Sequence, residues 1–181
     1  MVEPSDRVLA RQAGLGDRAA FSQIFERHSE STFRYARHML DGDVEAARDA
    51  TQEAWTKVWT HVGSYRGEAR LQTWLFQIVA REVLSSRRRR RPVSIDDSML
   101  ETRPGVSSDP AAAFANVELW EALTIALAEL AWKQRACWLL RELEEMSYEE
   151  IAQVLNTNTT VVRGQLHRAR QALALRMEAW Q

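Results

Sequence analysis

One polar stretch, from Pro92 to about Pro110, limits what this chain can fold into. It is rich in Ser, Asp, Pro and Gly and poor in large apolar residues, so it reads as a linker. On both sides of it, apolar residues recur three and four apart, the spacing of one helix face. The expected fold is therefore all-α: two small helical domains, residues 1–92 and 111–181, joined by a flexible acidic linker over 93–110. A chain of 181 residues with 45% hydrophobic and 27% charged side chains can bury a core on each side, and seven tryptophans supply large packing surfaces. The N-terminal MVEPSDRVLARQ is too charged for a signal peptide, and no apolar run approaches the roughly 20 residues that span a bilayer. A cytoplasmic protein is expected. Cys137, between apolar neighbours in RACWLLREL, reads as a core filler.

In the first half, a short helix over Asp6–Ala13 is followed by a longer one capped by Asp17, with Phe21, Ile24, Phe25, Tyr35, Ala36, Met39 and Leu40 on its buried stripe. His28 lies near that stripe and reads as packed or capped rather than as a metal ligand. The Asp41-Gly42-Asp43 turn starts a third helix that buries Ala47, Ala50, Ala54, Trp55, Val58, Trp59 and Val62 and packs antiparallel on the second. By spacing alone, the opposite face of that third helix, with Asp49, Gln52, Glu53 and Lys57, is solvated. The loop HVGSYRGEARLQ then places Tyr65 beside Arg66 and Arg70. An aromatic next to arginines suits single-stranded nucleic acid, which needs a stacking surface and a phosphate track. A helix from Leu71 or Thr73 follows, with Trp74, Leu75, Ile78, Val79 and Val83 inward, and it runs into five consecutive arginines, Arg87 to Arg91, until Pro92 ends it.

The second half resumes near Ala111 with Phe114, Val117, Leu119, Trp120, Leu123, Leu127 and Leu130 on one helix. Trp132–Glu144 forms the next, burying Ala136, Leu139, Leu140 and Leu143. The stretch SYEEIAQVLNTNTTVVRGQLHRAR then reads as a helix-turn-helix. Ser147 and Glu150 make a capping box, Asn156-Thr157-Asn158 breaks the first helix, and Thr159 caps the second. Val161, Val162, Leu166, Ala169 and Leu173 face a core. No acidic residue occurs between Glu150 and Glu178, so the body of the second helix carries only positive formal charge, which fits a DNA major groove. The net charge of −1 argues against a protein that coats nucleic acid unaided.

Two segments, taken together, resemble the bacterial sigma factors, specifically the small extracytoplasmic-function (ECF) group. RDATQEAWTKVW resembles the family's segment for the clamp helices of the polymerase beta-prime subunit, and YRGEARLQTWLFQIVAREVLSSRRRRR its promoter-melting and minus-ten segment. LAELAWKQRACWLLRELEEMSYEEIAQVLNTNTTVVRGQLHRARQAL resembles its minus-thirty-five domain. The resemblance implies that residues 1–92 are sigma domain two and 111–181 sigma domain four. It implies polymerase binding by Asp49, Gln52, Glu53 and Lys57. Tyr65, Arg66, Arg70 and Gln72 would cradle an unstacked minus-ten base, with Arg81, Arg87, Arg88, Arg89, Arg90 and Arg91 holding phosphates nearby. Thr159, Thr160, Arg163, Gly164, Gln165, His167, Arg168 and Arg170 would meet the minus-thirty-five element. The implied partners are core RNA polymerase (beta-prime clamp helices and beta flap), promoter DNA and an anti-sigma factor, often membrane-anchored. The protein would then be nucleoid-associated when active and held at the inner membrane when sequestered. No catalytic group, metal, cofactor or small-molecule substrate is implied.

This chain departs from the family pattern at several places. Leu130 precedes Ala131-Trp132 where the family commonly has Leu-Pro, and Thr157 stands where an apolar turn residue is usual. Gly164 allows close approach to the DNA backbone, and Gln165 suits adenine through a bidentate contact. A stand-alone helix-turn-helix regulator is the alternative reading. A helical enzyme is a third, against which the chain shows no metal-ligand spacing, phosphate loop or nucleophile arrangement.

Overall fold

The computed structural model describes residues 4–90 and 114–177; Arg91, the linker stretch and the tail at Trp180 lie outside them, as do the side chains of Phe114, Val117 and Leu119. All regular structure among the described residues is helical. The first helix, α1 (Asp6–Gly14), leads to Asp17, whose carboxylate accepts hydrogen bonds from the Ala19 and Ala20 amides at 2.9 and 3.1 Å and so starts α2 (Arg18–Met39). After the Asp41-Gly42 turn, Asp43 accepts from the Ala46 amide at 2.9 Å and starts α3 (Val44–His61), which packs back on α2. A single turn of 3-10 helix, Val62–Ser64, leads through the Tyr65–Arg70 loop into α4 (Leu71–Arg90).

Small side chains decide how these helices meet. Ala46, Ala47, Ala50 and Ala54 are buried along one face of α3, so α2 and α4 can approach its backbone, and the Tyr35 and Phe76 rings fill the space edge to face at 5.5 Å. A second cluster joins Leu9, Ala10 and Ala13 of α1 to Ile24, Trp55, Val58, Leu71 and Leu75. Within it the Trp55 indole donates to the Thr32 hydroxyl at 3.2 Å, and that hydroxyl donates to the His28 and Ser29 carbonyls. His28 is bonded to Asp6 at 2.8 Å, which ties α1 to α2 and bears out the packed reading of this histidine.

The second half consists of α5 (Phe114–Ala128), α6 (Trp132–Glu142), α7 (Tyr148–Val154) and α8 (Thr159–Met177), with α8 packed on the other three. Cys137 is buried on α6, and burial pushes its thiol up to about 12, which makes it an inert core residue. The capping box is complete: the Ser147 hydroxyl accepts from the Glu150 amide and the Glu150 carboxylate accepts from the Ser147 amide at 2.8 Å. Asn156 takes a left-handed φ of 49° and turns the chain. The second helix, however, is capped by Asn158, whose side-chain oxygen accepts from the Val161 amide at 2.9 Å, and Thr159 is already its first helical residue.

Four large residues expected inside are exposed: Phe25, Trp59, Trp120 and Val161. Phe25 and Trp59 lie on the outer shoulder of the aromatic cluster, edge-on to Trp55 and Phe21 respectively. Trp120 precedes the face that α5 buries, which runs through Ala122, Ala126, Leu127 and Leu130. Val161 is one residue out of phase with Val162, Leu166, Ala169 and Leu173, which form the buried stripe of α8.

The two halves also pack against each other, α4 on α7 and α2 on α5 and α6, and one apolar cluster runs from Tyr35 and Phe76 through Cys137 and Leu140. Arg135, 3% exposed, donates to the His38 carbonyl at 2.9 Å, to Asp41 at 2.6 Å and to the Ala128 carbonyl. Arg34 pairs with Glu144 at 2.9 Å. Sequence reading anticipated a tether and not this contact. No helix among the described residues is long and apolar enough to cross a membrane.

Two measurements test this fold. Asn158→Ala should cost about 1 kcal/mol of stability and Thr159→Ala clearly less; the reverse order in urea unfolding would restore Thr159 as the cap. Burial first, then the charges of Arg37, Arg135 and Arg34, lower the His38 imidazole from 6.5 to about 4. The unfolded chain therefore takes up a proton that the folded chain refuses, so stability is full above about pH 6.5 and falls as the pH drops toward 4. About 1 kcal/mol should be lost between pH 7 and pH 5, allowing for solvent screening of the partly exposed ring. His38→Gln should abolish that loss in unfolding titrations, and an equal loss in the variant would exonerate His38.

Candidate functional site

Three surfaces emerge from the packing. On the first, Asp49, Gln52 and Glu53 project from the exposed side of α3, because the alanine face of the same helix is turned inward. They line a groove closed on its far side by Ser86, Arg89 and Arg90 of α4. Arg89 reaches Glu53 at 3.4 Å and Arg90 reaches Asp43 at 2.8 Å. The Ala46 amide first, and then the Arg90 bond, hold the Asp43 carboxyl below its usual value. Lys57 is held by Glu82 at 2.6 Å, so its ammonium braces α3 against α4.

The second surface is the loop from Tyr65 to Gln72. The Tyr65 hydroxyl donates to the Ala69 carbonyl at 2.6 Å, and its ring leans on Trp74 with centroids 5.6 Å apart. The loop thus closes on itself and presents an aromatic wall. Trp74 is half-buried and packs against the α1 cluster, with one edge left to solvent. Arg66 is exposed, but Arg70 lies 3.6 Å from Glu150, and the Gln72 amide donates to the Glu144 carbonyl at 3.3 Å. Thr73, fully buried, donates to Glu150 at 3.0 Å, and Gln77 donates to the Gln153 carbonyl. Partial burial opposes ionisation of Glu150, yet the Ser147 amide, the Thr73 hydroxyl and Arg70 together hold its carboxyl below the ordinary range.

The arginine run does not lie beside this loop. Helix α4 is continuous from Leu71 to Arg90, and at 1.5 Å per residue its last turn sits roughly 25 Å from Gln72. Arg89 and Arg90 instead join the α3 groove, and the Arg87 guanidinium lies 4.8 Å from the centre of the Trp132 ring of the second half. Arg81 and Arg88 are exposed, and Arg91 falls outside the described residues. Sequence spacing placed these charges on one helix and could not show how much of its length separates them from the loop.

The third surface is α8. Arg163, His167 and Arg168 are exposed with Thr160, while Thr159, Gly164 and Gln165 are half-buried. A side-chain carbon at Gly164 would lie 3.7 Å from the Arg168 guanidinium, so Arg168 folds back over the glycine. Arg170 is taken up by Glu142 at 2.7 Å, which raises its pKa and neutralises its charge. The cationic part of α8 is therefore its first half, the part that enters a groove in helix-turn-helix docking.

The family descriptions "Sigma-70 region 2" and "Sigma-70, region 4" match residues 24–93 and 120–173. The ECF RNA polymerase sigma-E factor of Escherichia coli strain K12 is 30% identical over 179 residues, covering 93% of this chain and 92% of that protein. The ECF RNA polymerase sigma factor SigW of Bacillus subtilis strain 168 is 26% identical, covering 90% and 91%. Among solved structures, CnrH in complex with the cytosolic domain of CnrY superposes with a TM-score of 0.73 at 25% identity, covering 97% of this chain and 99% of that one. The sigma factor RpoE in complex with the anti-sigma factor NepR from Bartonella quintana shares the fold, with a TM-score of 0.71 at 22% identity over 87% of this chain and 96% of that one. With matched regions in the order of its two helical halves and near-complete coverage of its relatives, the chain belongs to the ECF sigma factors of bacterial RNA polymerase.

Proposed function

We propose that this sigma factor docks on core RNA polymerase through Asp49, Gln52 and Glu53, takes an unstacked minus-ten base at Tyr65–Gln72, and sets the first half of α8 in the major groove of the minus-thirty-five element. The observation that carries the reading is the distribution of exposed polar and charged groups. The exposed acid and amide face of α3, the aromatic loop with Arg66, and Arg163 and Arg168 of α8, which have no ion-pair partner among the described residues, belong to three separate elements of one chain. A stand-alone regulator would not need the first two. The roles of domain two and domain four then fall to residues 1–92 and 111–181. Lys57 contributes by bracing α3, and Arg89 and Arg90 by shaping its groove.

The arrangement also calls for a change of shape. Elements centred about 25 base pairs apart are separated by roughly 85 Å at 3.4 Å per step. A compact fold of this size has a radius of gyration of about 16 Å and is about 40 Å across. The halves as packed cannot reach both elements, and Arg70 and Gln72 are engaged with Glu150 and Glu144. The closed form supports a resting state, and binding to polymerase separates the halves. Its interface suits that role: the buried polar atoms without partners among the described residues, Tyr35 Oη, Arg34 Nε and Arg135 Nε, belong to residues at or beside this contact. Each costs about 1–3 kcal/mol, which offsets part of the apolar burial.

In this reading the chain has no catalytic role of its own, acts in the cytoplasm, and is held by an anti-sigma factor, much as its structural relative RpoE forms a complex with the anti-sigma factor NepR. Membrane anchoring of that partner would bring the sequestered protein to the inner membrane.

Purified protein mixed with core polymerase and a promoter library should give promoter-specific transcripts, and D49A/E53A should lower polymerase affinity at least tenfold with the helical content unchanged. Wild-type transcripts without promoter preference, or variant affinity equal to wild type, would refute the assignment. R34A/T73V should weaken the closed contact by on the order of 2 kcal/mol. In small-angle scattering the free variant should expand by several ångströms, and its affinity for core polymerase should rise. A variant as compact as wild type with reduced polymerase affinity would show that the contact belongs to the active form.

A further inference from the structure

Two of the charges that the structure leaves unpaired near the Tyr65–Gln72 loop come from an element that sequence reading did not assign to DNA. Arg7 and Arg11 lie four residues apart on α1, on the same face of the helix, and both are exposed. With Arg66 and the Gly63–Gly67 backbone they line a cleft between the end of α1 and the loop. None of the three arginines has an ion-pair partner among the described residues. Asp6, the nearest acid in sequence, is spent on Arg27 and His28, and Glu68 at the loop tip is exposed without pairing to them.

The cleft is built rigidly. A side-chain carbon at Gly14 would stand 2.8 Å from the Gly63 Cα, so the end of α1 touches the loop backbone to backbone. Leu9, Ala10 and Ala13 bury the inner face of α1, and Asp6 fixes its start. Gly67 has φ +74°, and a side-chain carbon there would lie 3.3 Å from Arg7 Nε, so the arginine rests directly over the turn. The Arg7 charge acts on the Tyr65 hydroxyl, although burial of that phenol outweighs it and raises its pKa. Three like charges line one cleft, and the acid nearest in sequence, Asp6, is shared with Arg27 and His28, so their mutual repulsion is only partly offset. A bound polyanion relieves that repulsion.

We propose that this cleft seats the backbone of the single DNA strand whose base enters the loop, with Arg7 and Arg11 contacting phosphates on the side of Tyr65 away from α4. The charge and the backbone geometry suit a phosphodiester track, and the adjoining aromatic wall of Tyr65 and Trp74 suits a strand with unstacked bases in preference to a duplex. The phosphate-holding role expected of the arginine run thereby falls largely to α1. The inference rests on the reading of Tyr65–Gln72 as the minus-ten site.

The test uses holoenzyme assembled from the full chain and core polymerase, with a promoter fork whose minus-ten region is single-stranded. R7A/R11A should bind the fork about tenfold more weakly, and the slope of log affinity against log salt should fall by about 1.4, the value for two single-strand phosphates. Polymerase affinity and thermal unfolding should be unchanged. R7K/R11K should keep most of the slope, and Arg37→Ala, an exposed charge on α2, should leave it unaltered. Replacing single phosphates of the strand by uncharged methylphosphonates should weaken wild-type binding at one or two positions, and those positions should become silent in R7A/R11A. If Arg66→Ala weakens fork binding but R7A/R11A matches wild type at every position, the cleft is not a phosphate seat although the loop is the minus-ten site. If both variants leave fork binding unchanged while promoter-specific initiation persists, the loop assignment fails as well.

Discussion

The packing of the two halves of this protein is organised around one buried cation. Arg135 is taken almost entirely out of water between α6 and the end of α2, and its guanidinium is compensated by two backbone carbonyls and the Asp41 carboxylate. Desolvating such a group costs several kcal/mol unless acceptors surround it, and here those acceptors come from both halves of the chain. Separating the halves returns Arg135 to water and removes the His38 and Asp41 contacts in one step. The contact is thus specific in geometry, and its desolvation cost offsets part of the apolar burial. Its orphaned atoms on Tyr35, Arg34 and Arg135 itself point the same way.

Much of the architecture could be read from residue order because it depends on local chemistry. Asp17 and the Ser147–Glu150 pair cap helices by hydrogen bonds that span two or three residues, and both form as expected, while Asp43, expected only as part of a turn, caps α3 in the same way. Where two neighbours of similar capping ability compete, order alone was insufficient: Asn158 caps α8 and Thr159 does not. Periodicity found the buried stripes but not their edges. Phe25 and Val161 sit one step off the stripe, and which shoulder of a helix is covered depends on the neighbour packed against it. The charges were hardest to read. The arginine run was plain in sequence, yet Arg89 and Arg90 spend their charge on acids of α3, and Arg7 and Arg11 gave no such signal. A cation is available to a ligand only when folding leaves it without an acid, and that is a property of the tertiary structure.

Glu150 concentrates these themes, since its carboxylate serves α7 and the interface together. One oxygen accepts from the Ser147 amide within the helix-turn-helix, while the other accepts from Thr73 and lies near Arg70 in the first half. The same group that caps the first helix of the helix-turn-helix therefore also holds Arg70 of the Tyr65–Gln72 loop and Thr73 of the helix that follows it. On the proposed reading, closure and recognition compete for Arg70 and Gln72, so a partner that stabilises either one weakens the other by linkage.

That division of labour also sets the speed of the exchange. The bond from the Ser147 amide to Glu150 is internal to α7 and survives when Thr73 and Arg70 withdraw. On the proposed release, the helix-turn-helix keeps this cap and leaves as a preformed body. Motions of that kind run on the microsecond to millisecond scale, about that of a domain hinge and far faster than global unfolding. The waiting time for the reading head is then set by its partners and not by its own folding.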